Sequence, residues 1–323
     1  VILGLLEDVS LASARHLAGM VQGVVVDAIG LNDPRRQDSQ IDIILQAHPD
    51  LLIITGGTNS GATRSMAKIV ETLNFTLPLF PRDKRPEIIF AGNEVIANQV
   101  KDALAKLVEV HIAPNIRPEI GHENLAPAAE ILNETIMRIR ARQIGGFQSY
   151  QTICTVPPVP TYHAFGRVVR FLSKINNPTK GVMGIDLGPS SLCVATAEKG
   201  NLHLSINTLG IDHEPSRLLN EISISDITRW TPGLLTDVQA RDLIWQKSLQ
   251  PGSTPATSET LALEHALARE LITLGLKKHN QTYPQRRTFE PILVSGQTFS
   301  RATPGQSMMI LLDSLQPQGV TTF

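Results

Sequence analysis

The chain has 323 residues, enough for about two average domains with cores that need no disulfide or metal staples. Lys plus Arg is 29 and Asp plus Glu is 30, so the net charge of -1 provides no broad field for nucleic acid or anionic membrane, and generic polyanion binding is excluded. Aromatics make up 4 % of the residues against 42 % hydrophobics, which leaves few rings for base stacking and describes an aliphatic core.

No window reaches the roughly 18 to 20 apolar residues of a membrane span, and the N-terminal run carries Glu7, Asp8 and Arg15 without a basic leader. A soluble, cytoplasmic protein is expected. Cys154 and Cys193 lie in no metal or redox spacing and are expected to be buried as small hydrophobes.

Between residues 21 and 113, short β-branched runs alternate with helix-length amphipathic stretches. VQGVVVDAI, LLIITGG, EIIFAG and VEVHIAP read as strands; IDIILQAHP, ATRSMAKIVETL and NEVIANQVKDALAKL occupy the intervals. Such alternation predicts βαβ units and a doubly wound parallel layer of four strands. LAPAAEILNETIMRIRARQI and HAFGRVVRFLSKI follow as helices, and the breaker NNPTKG places a domain boundary near 178, giving domains 1–178 and 179–323.

Past that boundary GVMGIDLG, SLCVATAEKG and NLHLSINTL read as an antiparallel meander. Residues 214 to 280 are mainly helical, PILVSGQTFSR is strand then turn, and TPGQSMMILLDSL is a helix capped by Thr303 with Pro304 at its first position.

Three glycine turns can carry chemistry. In the first, Gly56, Gly57, Thr58, Asn59, Ser60 and Gly61 follow a buried strand and precede a helix, an arrangement that exposes backbone N–H groups to an anion. Ala91-Gly92-Asn93-Glu94 ends the next strand and is expected to face the same crevice. In the second, Asp186, Gly188, Pro189, Ser190 and Ser191 form a hairpin in which Asp186 suits a Mg-bound water and the turn suits phosphate oxygens, although Pro189 removes one donor. In the third, Ser295-Gly296-Gln297 is a strand-to-helix turn where Gly296 permits close approach of a flat ligand. Each has a plain structural reading as a tight connection. The nine histidines show no ligand spacing and read as solvated or surface groups. Asp212 with Glu214 reads as a solvated pair, and Arg138, Arg140 and Arg142 as the polar face of a helix. No GxSxG elbow or cysteine neighbourhood suggests a nucleophile.

Taken in order, these segments resemble the MutL family associated with glutamate mutase, the GlmL proteins, unrelated to mismatch-repair MutL. PDLLIITGGTNSG is similar to that family's PDIILLaGGTDGG, EIIFAGN to PVVVAGN, and HIAPNIRPEIG to its NVMP stretch. GIDLGPSSLCVAT stands where the family has DIGGATTDVHS, and ILVSGQTFSRA where it has IGtGG. The resemblance implies a two-lobed actin-like ATPase (ASKHA) fold. It implies ATP and Mg as cofactors, held by Asp186, Gly188, Ser190 and Ser191 as the second phosphate hairpin and by Ser295, Gly296 and Gln297 as the adenosine turn, with Mg reached by Asp186 through water.

The resemblance further implies a role as a reactivating or maturation factor for a protein partner of the cobalamin-dependent mutase type. A pseudo-ATPase scaffold and a small-molecule kinase are the alternatives, and the second lacks a candidate base. The first phosphate hairpin of the fold is expected upstream of Val1. Pro189 stands where the family pattern has glycine, and its second carboxylate is replaced around Leu192 and Cys193, so an eroded phosphate site with weak or absent hydrolysis is expected. Asn59 replaces an Asp and Ser60 a Gly in the first turn.

Overall fold

The computed structural model describes residues 1–59, 61, 63–156, 158–176, 179–212, 214–284 and 288–317. Two compact units divide the chain, Val1–Pro160 and Thr161–Phe323. The division precedes the predicted boundary near 178, because the helix Thr161–Ile175 packs on the strands that follow it: Gly184 leaves room for its Val169 and Phe165, and Gly166 faces Leu202. The segment Asn177–Pro178, on which the sequence boundary rested, lies outside the described residues.

The first unit is a five-stranded, all-parallel sheet of order β2-β1-β3-β4-β5. Its strands are β1 (Ile2–Leu3), β2 (Ala28–Ile29), β3 (Leu51–Ile54), β4 (Glu87–Phe90) and β5 (Val110–Ile112). Its helices are α1 (Ala12–Ala18), α2 (Gln37–Ala47), α3 (Arg64–Thr76), α4 (Ala97–Leu104), α5 (Ala126–Gln143) and α6 (Phe147–Ile153). Four strands were predicted. The fifth is the N-terminal β1, too short to show a period yet paired on both sides, with Leu3 between Ile29 and Ile54. Conversely VQGVVVDAI supplies only Ala28 and Ile29, and Val24, Val25 and Val26 are exposed. The core is aliphatic, including Ile44, Leu52, Ile54, Met66, Leu73, Ile88 and Phe90.

The second unit is a mixed sheet of order β8-β7-β6-β9. Helix α7 (Thr161–Ile175) leads into β6 (Gly181–Leu187), β7 (Leu192–Glu198) and β8 (Asn201–Asn207), the predicted meander. Helices α8 (Pro215–Glu221), α9 (Ile224–Thr228), α10 (Asp237–Leu249) and α11 (Ser258–Thr282) then bring the chain back to β9 (Phe289–Ser295), which pairs in parallel with β6. Two helices close the described chain, α12 (Gln297–Arg301) and α13 (Pro304–Leu315). Thr303 caps α13 in a reciprocal box with Gln306, as its sequence predicts. A second aliphatic core joins Ile185, Leu187, Leu192 and Val194 to Leu267, Leu271 and Ile272 of α11.

Cys193 is buried as expected, whereas Cys154 is only half-buried. Among the described residues no helix is long and apolar enough to cross a membrane.

One histidine departs from the surface role expected of it. His279 of α11 is 1 % exposed, its Nε2 bonded to Thr196 Oγ1 at 2.9 Å and its Nδ1 to Ser205 Oγ at 2.8 Å. Burial and then the neighbouring His203 lower its pKa to about 4. The unfolded chain, with a histidine near 6.5, binds more protons between these values, so this contribution is complete above about pH 6.5 and is lost as pH falls toward 4. We expect about 2 kcal/mol of stability to disappear through this residue between pH 7 and pH 5, and His279→Gln to flatten the fall by that amount in urea titrations at the two pH values.

Candidate functional site

In the second unit the two turns singled out by sequence are neighbours. Parallel pairing of β6 with β9 sets Asp186 opposite Ser295, and the Ser295 hydroxyl donates to Asp186 Oδ1. Both strands end there in a glycine turn. Gly296 has φ 110°, and a Cβ at this position would lie 2.0 Å from the Leu187 carbonyl oxygen, so only glycine brings the turn this close to the end of β6. The Gln297 amide, with its oxygen turned toward Arg301, accepts from Nη2 at 2.8 Å.

The hairpin itself is partly committed to internal bonds. Gly188 N–H donates to the Ser191 carbonyl at 2.9 Å, and Pro189 has no N–H. The next segment covers the turn: Ile211 N–H donates to Gly188 O at 3.1 Å and Asp212 N–H to Pro189 O at 2.8 Å, while a Cβ on Gly210 would meet Pro189 O at 2.4 Å. Of the four turn residues 188–191, Gly188 has its N–H bonded within the turn and Pro189 has none, so these two positions offer no donor to a phosphate. Asp186 is half-buried and carries the hydroxyl of Ser295, a donor set that fits a hydrated magnesium held through water rather than directly. Its charge and the burial of Cys193 push that thiol well above its ordinary range, burial contributing most, so Cys193 is no nucleophile.

Behind both turns lies a charged cluster that sequence reasoning missed. Lys247 Nζ of α10 is 2.9 Å from Asp212 Oδ1 and 3.2 Å from Glu264 Oε2 of α11, and the three side chains are 13 %, 3 % and 4 % exposed. Gly252 N–H donates to Asp212 Oδ2 at 2.6 Å, and the Thr298 hydroxyl to Glu264 Oε1 at 3.1 Å. Asp212 is thus not the solvated carboxylate expected from its neighbour Glu214. It joins the strand covering the hairpin, through Lys247 and Glu264, to the residue that follows the Gly296 turn. The one legible signal is Lys247 at helical spacing from Ala240 and Ile244, the buried residues of α10; the partners are 35 residues upstream and 17 downstream, beyond any local pattern.

The first unit presents its own glycine turn at the carboxyl edge of β3. Gly56 has φ 137° and Gly57 φ 75°, and a Cβ on Gly56 would lie 2.6 Å from Leu5 Cγ. The neighbouring loop adjoins it as expected, Asn93 N–H donating to Gly56 O at 3.1 Å. Two buried asparagines bind the edge together: Asn115 Nδ2 donates to Gly57 O at 3.0 Å and to Asn59 Oδ1 at 2.8 Å, and Asn93 Nδ2 to Gly61 O at 3.2 Å. This network ties Gly57 and Asn59 to the neighbouring loops; Thr58 is half-buried beside them, and Ser60 lies outside the described residues. A cavity of about 140 Å³ opens near the carboxyl ends of β1 and β2, lined by Ile29, Gly30, Ile44, Lys68 and Thr72 among others.

At the opposite end of the same sheet, Glu87, Glu109 and His111 bring potential ligand atoms within 4.8 Å of one another. Arg142 pairs with Glu87 and Arg138 Nη1 lies 3.1 Å from Glu109 Oε1, so two guanidiniums already balance two carboxylates. Burial and then Arg138 lower the pKa of His111, which keeps it neutral. The cluster is an ion network that anchors α5 on β4 and β5, and Arg138 and Arg142 are more than the solvated face expected of them.

A family model described as MutL protein matches residues 1–299. The chain belongs to the MutL protein family. Among curated proteins none matches. Solved structures similar to this MutL-family chain include an archaeal actin homolog, at 7 % identity over 78 % of this chain and 69 % of its own, with a TM-score of 0.26. Acetate kinase from Entamoeba histolytica is similar at 12 % identity over 87 % and 71 %, with a TM-score of 0.27. Glucokinase from Parabacteroides distasonis is similar at 12 % identity over 80 % and 68 %, with a TM-score of 0.21. These likenesses are remote, and the family match alone carries the assignment.

The buried triad has a measurable consequence. Removing Lys247 leaves Asp212 and Glu264 facing each other in low dielectric without their cation, which typically costs about 3 to 5 kcal/mol. Lys247→Met is expected to lower the urea midpoint accordingly, and Lys247→Met combined with Glu264→Gln to recover part of the loss, measured by circular dichroism.

Proposed function

We propose that this MutL-family protein is a nucleotide-binding accessory factor whose site is the joined end of β6 and β9. The observation that carries the reading is the placement of Asp186 against Ser295 with the Gly188 and Gly296 turns beside them. A carboxylate poised for a hydrated magnesium, a serine hairpin for phosphate oxygens and a glycine turn for the flat part of the nucleotide belong to one edge of one sheet. Asp186 orients metal-bound water, Ser190 and Ser191 meet the phosphates, and Ser295, Gly296 and Gln297 line the nucleoside. The resemblance to glutamate mutase-associated MutL proteins supports, for the accessory role, a partner enzyme of the cobalamin-dependent mutase type that the nucleotide state of this protein reactivates or matures.

The phosphate end of the site is eroded. Each donor lost toward a charged oxygen removes roughly 1.5 to 3 kcal/mol, and two such losses weaken binding by orders of magnitude. The engagement of Gly188 N–H within the turn and the missing N–H of Pro189 favour a second reading, a pseudo-ATPase scaffold that keeps the fold and the partner without turnover.

Thermal unfolding of the chain with and without Mg-ATP separates the two. A ligand at a hundred times its dissociation constant stabilises by about 2.7 kcal/mol, a rise of a few degrees in Tm at this size. The nucleotide reading expects that rise in the native chain and its loss in Asp186→Ala, with the apo Tm of the variant within a degree or two of the native value. No shift at millimolar Mg-ATP leaves the scaffold reading, and a shift that survives Asp186→Ala places the nucleotide elsewhere.

A further inference from the structure

Helix α7 is amphipathic twice over. Its inner face is fixed on the second sheet: a Cβ on Gly184 would lie 2.6 Å from Val169 and 2.7 Å from Phe165, and Ser173 Oγ accepts from Gly200 N–H at 3.0 Å. Its outer face is nevertheless apolar. Val168, Phe171 and Ile175 are 48 %, 60 % and 64 % exposed, and Ala164, one turn earlier, is exposed as well. Their spacings of four, three and four residues are those of the a and d positions of a heptad, and the four side chains fall in one narrow stripe.

One flank of this stripe is cationic, and the other continues into the half-buried Phe165 and Leu172. With Val168 and Ile175 taken as a positions and Ala164 and Phe171 as d positions, Arg167 and Lys174 both fall at g, where a paired helix places its interhelical charges. The whole of α7 contains no Asp or Glu, and among the described residues neither Arg167 nor Lys174 has a carboxylate partner. A stripe of two residues per heptad is a helix-pairing seam; a helix lying in a lipid interface needs a broader apolar face of a hundred degrees or more.

We propose that the outer face of α7 docks an amphipathic helix of a partner protein through Ala164, Val168, Phe171 and Ile175, with carboxylates of that helix facing Arg167 and Lys174. The seam needs a helix of at least two heptads, apolar at a and d and acidic at the positions opposite the two cations. It does not depend on the nucleotide reading.

The test uses the full chain and two labelled synthetic helices of three heptads, both with Leu at a and d, one with Glu and the other with Lys at e and g. Fluorescence anisotropy is expected to show the Glu helix binding at least tenfold more tightly than the Lys helix. Phe171→Glu and, separately, Ala164→Glu should abolish that binding while leaving Tm unchanged, since both positions are exposed. Arg167→Glu with Lys174→Glu should invert the preference. Equal binding of the two helices, or binding that survives both seam variants, overturns the proposal. So does a concentration-dependent dimer in sedimentation that Phe171→Glu dissolves, which makes a second copy the occupant. Sedimentation with vesicles of phosphatidylglycerol and phosphatidylcholine that requires Phe171 assigns the face to lipid instead. A Phe171→Cys thiol that stays unreactive to maleimide in the monomer shows the seam covered by this chain itself.

Discussion

The parallel registration of β6 with β9 is the constraint on which the second unit's chemistry depends. A meander alone brings β6, β7 and β8 together by tight turns, but it leaves the carboxyl end of β6 with hydrogen-bonding groups on one side only. The return of the chain through four helices to β9 supplies the missing neighbour and sets Ser295 beside Asp186. From that single pairing follow the glycine at 296, whose backbone passes within contact distance of Leu187 O, and the direction of α12 behind it. A side chain at 296 cannot be accommodated without moving the end of β6, so the identity of this glycine is set by packing before any ligand is considered.

The charges behind these turns show how a small region is held without exposed ion pairs. Asp212, Lys247 and Glu264 carry a net negative charge in a low-dielectric interior, which is costly unless each remaining oxygen finds a donor. Gly252 N–H and the Thr298 hydroxyl provide two of those donors, and both come from segments that border the candidate site. The carboxyl edge of the first unit is built differently. Asn59, Asn93 and Asn115 cross-link three loops with neutral amides, which pair through donors and acceptors without any desolvated charge. The first edge is thereby cross-linked by neutral groups, and the second by charged ones.

The two units also differ in how their sheets are made. In the first, every connection is a crossover, all strands are parallel and the order β2-β1-β3-β4-β5 reverses direction between β1 and β3, the place where doubly wound sheets open a crevice. Leu5 fills that position against Gly56, and Ser10 Oγ accepts from the Leu5 and Leu6 amides, so the crevice is closed by the chain's own first loop. In the second, three antiparallel strands and one parallel strand leave the site at the β6–β9 junction. The units are not repeats of one another.

Local pattern alone determined the α/β class, the alternation that becomes the parallel sheet, the meander, the capped helix at Thr303 and the three glycine turns, because each of these is specified within a dozen residues by periodicity or by a backbone demand. The ordered set of motifs also carried the family. What only the tertiary structure decided was pairing across long separations. A two-residue strand such as Ile2–Leu3 has no readable period and becomes an interior strand only through its neighbours. Asp212 reads as solvated until Lys247 and Glu264 enclose it, His279 as an ordinary helical histidine until Thr196 and Ser205 meet it, and α7 as the close of the first domain until Gly184 receives Val169. Burial is a property of the folded surroundings, and a charged or apolar side chain acquires its role from the dielectric and partners that distant segments bring to it.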